Sequence, residues 1–166
     1  MRGLQDKGVL ISGGSRGIGL ATAQRFLEEG SRVFLCGLEV DEVRAAVDGL
    51  RALDGAAGRV EGTACDVSHK GEAQRFVAAG ERWLNGIDVL INNAGIAWEE
   101  PFLDITPEHW DRILAVNLRG MFLVAQATAR RMIARGRGGV IVLMSSKNGL
   151  AGEVKYGHYN ASKGGI

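Results

Sequence analysis

Val9-Leu10-Ile11-Ser12-Gly13-Gly14-Ser15-Arg16-Gly17-Ile18-Gly19 is the stretch that decides the fold of this chain. It opens on a short apolar run, the pattern of a strand buried on both faces. After the glycines, Leu20 to Glu29 carries apolar positions at helical spacing, with alanines and Phe26 inward. Strand, glycine turn and helix in that order are the context of a dinucleotide-binding site. Glycines let the backbone turn tightly and approach a pyrophosphate, whose charge is favoured at a helix N-terminus. The spacing is G-x-x-x-G-x-G rather than G-x-G-x-x-G, and no Gly-Lys-Ser/Thr follows, so the turn is not a P-loop. Taken alone, the motif leaves an ordinary glycine-rich turn open.

Working outward, two more segments place polar residues at strand ends. Asn92-Asn93-Ala94-Gly95 follows the buried-strand pattern Ile87-Asp88-Val89-Leu90-Ile91. An Asn pair there can tie neighbouring loops through its side-chain amides, or simply form an Asx turn. Ser145-Ser146 closes the run Val140-Ile141-Val142-Leu143-Met144. Carboxyl ends of strands are where open parallel sheets bind ligands, although lone loop serines are commonly solvated or capping. Further on, Tyr159 and Lys163 stand four apart, on one face of a helix, so the ammonium can reach toward the phenol. Tyrosine ordinarily titrates near about 10, and a fixed cation nearby favours the phenolate. Tyr156 lacks such a partner, because position 160 is Asn.

Length and composition fit one globular domain over 1–166. The net charge of +1 gives no reason to expect attraction to nucleic acid or to a membrane surface. No apolar run approaches the roughly 20 residues needed to span a bilayer, and Met1–Lys7 lacks the apolar core of a signal peptide. Cys36 and Cys65 fall in or beside strand segments without metal-ligand spacing, which suits two buried thiols in a reducing cytoplasm. Strands are expected at Val9–Ser12, Arg32–Cys36, Val60–Cys65, Asp88–Ile91 and Val140–Met144. Helices are expected at Gly17–Glu29, Val40–Leu53, Glu72–Trp83 and Pro107–Arg135, the last as two helices or one bent near Gly120. Thr106-Pro107 is a helix start, a cap followed by proline in the first turn. Short strands alternating with helices imply a parallel sheet.

Together these segments resemble the short-chain dehydrogenase/reductase family in its common single-domain form. The residues that carry the likeness are Gly13-Gly14-Ser15-Arg16-Gly17-Ile18-Gly19, Asp66, Asn92-Asn93-Ala94-Gly95, Asn117, Ser146, and Tyr159 with Lys163. The resemblance implies an α/β fold, a Rossmann-like doubly wound parallel sheet with strand order 3-2-1-4-5, binding NAD or NADP. It implies hydride transfer between a nicotinamide and a secondary alcohol or ketone, with Tyr159 as general acid and base. Lys163 would favour the phenolate and hold the nicotinamide ribose, Ser146 would hydrogen-bond the substrate oxygen, and Asn117 would position a water. The coenzyme would lie along Gly13, Ser15, Arg16, Gly17, Ile18, Gly19, Gly37, Leu38, Asp66, Val67, Asn93, Ala94, Gly95, Tyr159 and Lys163. Asp66 could equally cap the helix before Glu72.

Coenzyme choice turns on the end of the second strand. NAD-preferring members of the family place an Asp there to accept from the ribose 2′-hydroxyl; here stand Gly37, Leu38 and Glu39. The missing acid removes repulsion against a 2′-phosphate that Arg16 could pair, so the reading leans to NADP, with Glu39 as a possible substitute acid. Trp98, Glu99, Glu100 and Phe102 are placed to form a pocket wall or mere surface, and Lys147, Asn148, Leu150 and Glu153 border the cleft. Relatives of this family continue beyond the Tyr–Lys helix, so the chain is expected to be a portion of a longer protein, a homodimer or homotetramer at full length. A fifth strand without that continuation would leave apolar surface uncovered. The alternative function is a truncated or non-catalytic nucleotide-binding module of the same fold.

Overall fold

The computed structural model describes residues 3–166, so Met1 and Arg2 of the leading stretch lie outside the described residues. Five parallel strands form one sheet in the order β3-β2-β1-β4-β5. They are β1 (Gly8–Ser12), β2 (Arg32–Gly37), β3 (Val60–Ala64), β4 (Val89–Asn92) and β5 (Val140–Leu143). The connecting helices are α1 (Gly17–Glu28), α2 (Val40–Arg51), α3 (Lys70–Leu84), α4 (Pro107–Leu114), α5 (Met121–Arg135) and α6 (Gly157–Gly165). Side chains alternate across the sheet as the two-residue period requires. Leu10, Phe34 and Leu90 pack with Phe76, Val77 and Val124 on one face, whereas Val9, Ile11, Val33 and Leu35 meet Leu27, Val43 and Val47 on the other. Each such side chain, fully buried, stabilises the fold by about 1.5–3 kcal/mol.

Register then brings the signature segments together. Ser12 stands opposite Cys36 on one side and Asn92 on the other, and Asn92 stands opposite Leu143. The glycine turn, the end of β2, the Asn pair and the serines therefore all leave the sheet at one carboxyl edge.

Most element ends fall within a residue or two of the sequence expectation, and two departures have local reasons. The helix expected at Glu72 begins at Lys70, and Glu72 turns back to accept the Asp66 N–H at 2.8 Å. The long stretch Pro107–Arg135 starts as expected, with Thr106 Oγ1 accepting the His109 N–H at 3.2 Å. Its irregularity is a π-helical segment over Ala115–Gly120 rather than a simple bend. Periodicity over long windows does not register one looser turn, and such turns gather at functional sites. Gly120, the last residue of that segment, passes tightly over Val67: a Cβ there would sit 2.9 Å from Val67 Cγ2 and 3.1 Å from its carbonyl oxygen. Val140, Val142 and Leu143 of β5, the edge strand of the sheet, are exposed.

Candidate active site

A cleft of about 750 Å³ opens at the carboxyl edge of the sheet, a size suited to a small ligand or cofactor. Its floor is fixed by Ser12 and the two asparagines. Ser12 Oγ donates to Asn92 Oδ1 at 2.8 Å and accepts the N–H groups of Asn93 and Ala94 at 3.0 and 3.1 Å. Asn92 Nδ2 donates to the Met121 carbonyl at 2.7 Å, and Asn93 Nδ2 to the Gly13 carbonyl at 2.9 Å. The Asn pair thus ties the glycine turn, the turn after β4 and α5 to one another. Sequence reasoning found the asparagines but missed Ser12, whose only signal was a hydroxyl at the end of an otherwise apolar strand.

The glycine turn fits a pyrophosphate on its own geometry. A Cβ on Gly19 would lie 1.9 Å from the Gly13 carbonyl oxygen and 2.7 Å from Asn93 Nδ2, so the helix closes on the turn as only glycine permits. Gly17 has open space around it but a φ of +55°, in the left-handed region. The first turn of α1 carries no acidic residue and no side-chain cap, leaving its N–H groups free to face an anion. Ser15, Arg16 and Ile18 line the cleft with Gly13, whereas Gly17 and Gly19 do not line it.

At the far side, Gly37 and Leu38 line the cleft with Asp66 and Val67. A Cβ on Gly37 would meet Ser15 Oγ at 2.4 Å, so the position that could carry an acid is filled by its neighbour. Arg16 faces Glu42 at 3.7 Å, both side chains largely exposed. Asp66 caps no helix directly, since the cap position of α3 is His69 and the helix begins at Lys70. Burial pushes the Asp66 carboxyl up, but hydrogen bonds from the Ser68 hydroxyl and N–H, with the Arg112 guanidinium, outweigh it and hold the carboxyl below its ordinary value. Cys36 and Cys65 are buried free thiols, and burial pushes Cys36 well up.

The opposite end holds the chemistry-bearing side chains. Ser146, Tyr159 and Lys163 line the cleft beside Asn93, Ala94 and Gly95. Lys163 Nζ donates to the Met144 carbonyl at 2.8 Å and sits 5.6 Å from the centre of the Tyr159 ring. Burial lowers the pKa of that ammonium. Among the described residues Ser146 Oγ makes only long contacts, 3.3 Å each, to the Asn148 N–H and Oδ1. Asn117 does not line the cleft. It is wholly buried on the π-helical segment, where Oδ1 accepts the Ile96 N–H at 2.8 Å and Nδ2 donates to the Ile96 carbonyl at 2.9 Å and to Ser162 Oγ at 3.1 Å. Asn117 thereby clamps the turn after β4 to α6. Met144 was not anticipated as a site residue, and Ser145 was read only as one of two serines at a strand end; Ser145 Oγ donates to the Lys163 carbonyl at 2.9 Å and fastens α6 to the end of β5.

Residues 7–166 match the family model described as short chain dehydrogenase. The chain is 38% identical to a sorbitol dehydrogenase of Cereibacter sphaeroides, covering 98% of this chain and 61% of that protein. It is 37% identical to an L-rhamnose 1-dehydrogenase (NAD(P)(+)) of Azotobacter vinelandii, covering 98% of this chain and 64% of the relative. The crystal structure of an NAD+-bound xylitol dehydrogenase superimposes with a TM-score of 0.92 at 31% identity, over 99% of this chain and 62% of the other. The chain therefore spans about three fifths of the length of the proteins it matches.

Proposed function

Because the chain belongs to the short-chain dehydrogenase family, we propose that it is the coenzyme-binding part of an NAD(P)-dependent oxidoreductase, one that carries Tyr159 as its general acid and base. The observation that carries this reading is the single cleft in which the glycine turn, Ser146, Tyr159 and Lys163 all meet. A nicotinamide coenzyme held along Gly13, Ser15, Gly95 and Lys163 would supply the hydride acceptor for a carbinol carbon in oxidation and the hydride donor for a carbonyl carbon in reduction. In oxidation Tyr159 takes the hydroxyl proton onto its phenolic oxygen; in reduction it returns that proton to the carbonyl oxygen. Ser146 donates a hydrogen bond to the substrate oxygen, where charge develops. Lys163 sets positive charge beside the phenol and offers its ammonium to the ribose hydroxyls. Asn117 keeps the Ile96 turn and α6 in register through its side-chain amide.

The family's sugar and polyol dehydrogenases support a hydroxylated secondary alcohol as substrate. Coenzyme choice leans to NADP: Gly37 offers no acid to a ribose 2′-hydroxyl, and Arg16 is free to leave its exposed pair with Glu42 for a 2′-phosphate. The buried free thiols fit a cytoplasmic protein, and the exposed apolar residues of β5 fit burial by further chain or by a second subunit in a homodimer or homotetramer.

The test is coenzyme-dependent oxidation of a panel of polyols and simple secondary alcohols, with wild-type protein and Tyr159→Phe. Turnover by the wild type, abolished in Tyr159→Phe with coenzyme affinity nearly unchanged, is the expected result. Nucleotide retention without turnover across the panel refutes the enzyme reading and leaves a nucleotide-binding module. Turnover that survives in Tyr159→Phe refutes the assignment of the acid and base.

A further inference from the structure

The Tyr159 phenol works only where α6 puts it, so what fixes the first turn of that helix fixes the phenol. The later half of α6 is tied down by Lys163 and Ser162. Its first turn is held by residues that the proposed chemistry leaves unused. His158 is fully buried, its ring edge-on to Trp98 with centres 5.2 Å apart. Its Nδ1 accepts the backbone N–H of Tyr159 at 2.9 Å, one of the donors that the first turn of a helix leaves without an intrahelical partner. A ring nitrogen that accepts carries no proton, so this hydrogen-bond pattern assigns the proton of the neutral ring to Nε2. That Nε2 faces Glu100 Oε2 at 3.5 Å and has no shorter partner among the described residues.

Glu100 is itself held from three sides. Its carboxylate accepts from Trp98 Nε1 at 3.2 Å and lies 2.8 Å from His109 Nδ1. Its backbone N–H donates to the Lys155 carbonyl at 2.8 Å, and the residue bridges to Tyr156 just ahead of α6. The His109 hydrogen bond is the chief reason its carboxyl stays below the ordinary glutamate value, so it stands as an anion.

We propose that Glu100 and His158 are positioning residues for Tyr159: the Glu100 carboxylate selects the His158 tautomer whose Nδ1 holds the Tyr159 backbone. The same pair fastens the segment after β4 to the start of the helix that carries the phenol. The catalytic consequence rests on the oxidoreductase reading; the geometry does not.

The experiment combines imidazole ¹⁵N spectra of His158, hydrogen exchange at the Tyr159 amide, and turnover, in wild type, Glu100→Gln and Glu100→Ala. The wild type should show the Nε2-protonated tautomer and a protected Tyr159 amide. Glu100→Ala should lose protection and kcat by about tenfold each, the scale of one buried hydrogen bond, with coenzyme affinity unchanged. Glu100→Gln, which keeps an acceptor, should restore most of both. An Nδ1-protonated His158 in the wild type overturns the proposal, even if Glu100→Ala fails to fold. Wild-type tautomer, protection and kcat in folded Glu100→Ala overturn it as well. A wild type with the expected tautomer and protection but no turnover refutes the oxidoreductase reading and leaves the pair standing.

Discussion

Replacing Gly19 with alanine should damage this fold far more than the same change at Gly17, two residues earlier in one turn. At Gly19 the added methyl would stand 1.9 Å from the Gly13 carbonyl oxygen and 2.7 Å from Asn93 Nδ2. Ordinary contact begins near 3.4 Å, so α1 must retreat by more than an ångström, and the carbonyl cannot yield because it is backbone. That movement overpacks a buried site, at about 1–3 kcal/mol, and strains the 2.9 Å hydrogen bond from Asn93 to Gly13, worth about 1 kcal/mol more. A total near 3 kcal/mol, with a urea slope of about 2 kcal/mol/M, lowers the unfolding midpoint by about 1.5 M. At Gly17 nothing lies within 4 Å, and the cost is the φ of +55° alone, about 1–2 kcal/mol, or at most about 1 M. Urea unfolding followed by circular dichroism measures both. Equal midpoints for the two variants, or a Gly19→Ala midpoint within about 0.3 M of wild type, would refute the close approach of α1 to the turn.

Two further predictions come from the ends of the cleft. Leu38→Arg adds a guanidinium where the cleft meets β2 and should raise the ratio of NADP to NAD affinity at least about tenfold; an unchanged ratio measured by titration places the 2′ end of the coenzyme elsewhere. Burial lowers the folded-state pKa of Lys163 from the ordinary 10.5. Between those two values the unfolded chain binds more protons than the folded one, so stability rises with pH there. Below the folded value the penalty of burying the charge is fully present. The stability of wild type relative to Lys163→Met should therefore climb as pH rises toward 10.5; a difference that stays flat in urea midpoints across that window refutes the burial of the ammonium.

Much of this protein was legible in its sequence. Apolar runs ending in glycine, Asn-Asn-Ala-Gly and serine marked strands and their carboxyl ends, because strand period and turn chemistry are local properties of the chain. Tyr159 and Lys163 were legible as a pair for the same reason: four residues on a helix fix a shared face wherever the helix lies. The order of those segments identified the family, and with it the sheet order. Sequence did not show how Ser12, Asn92 and Asn93 lock the turns, because Ser12 reaches partners some 80 positions away through strand register alone. Nor did it show that Asn117 would spend its amide on Ile96 and Ser162, that the helix loosens into a π turn there, or that Ser15 fills the space beside Gly37. His158 and Glu100 stand 58 positions apart in the chain and meet only because Trp98, α4 and α6 converge behind the cleft. Local pattern determines which elements form and which groups they carry. Which distant groups face each other is decided by packing, since a buried polar atom must find its partner wherever the fold has put one.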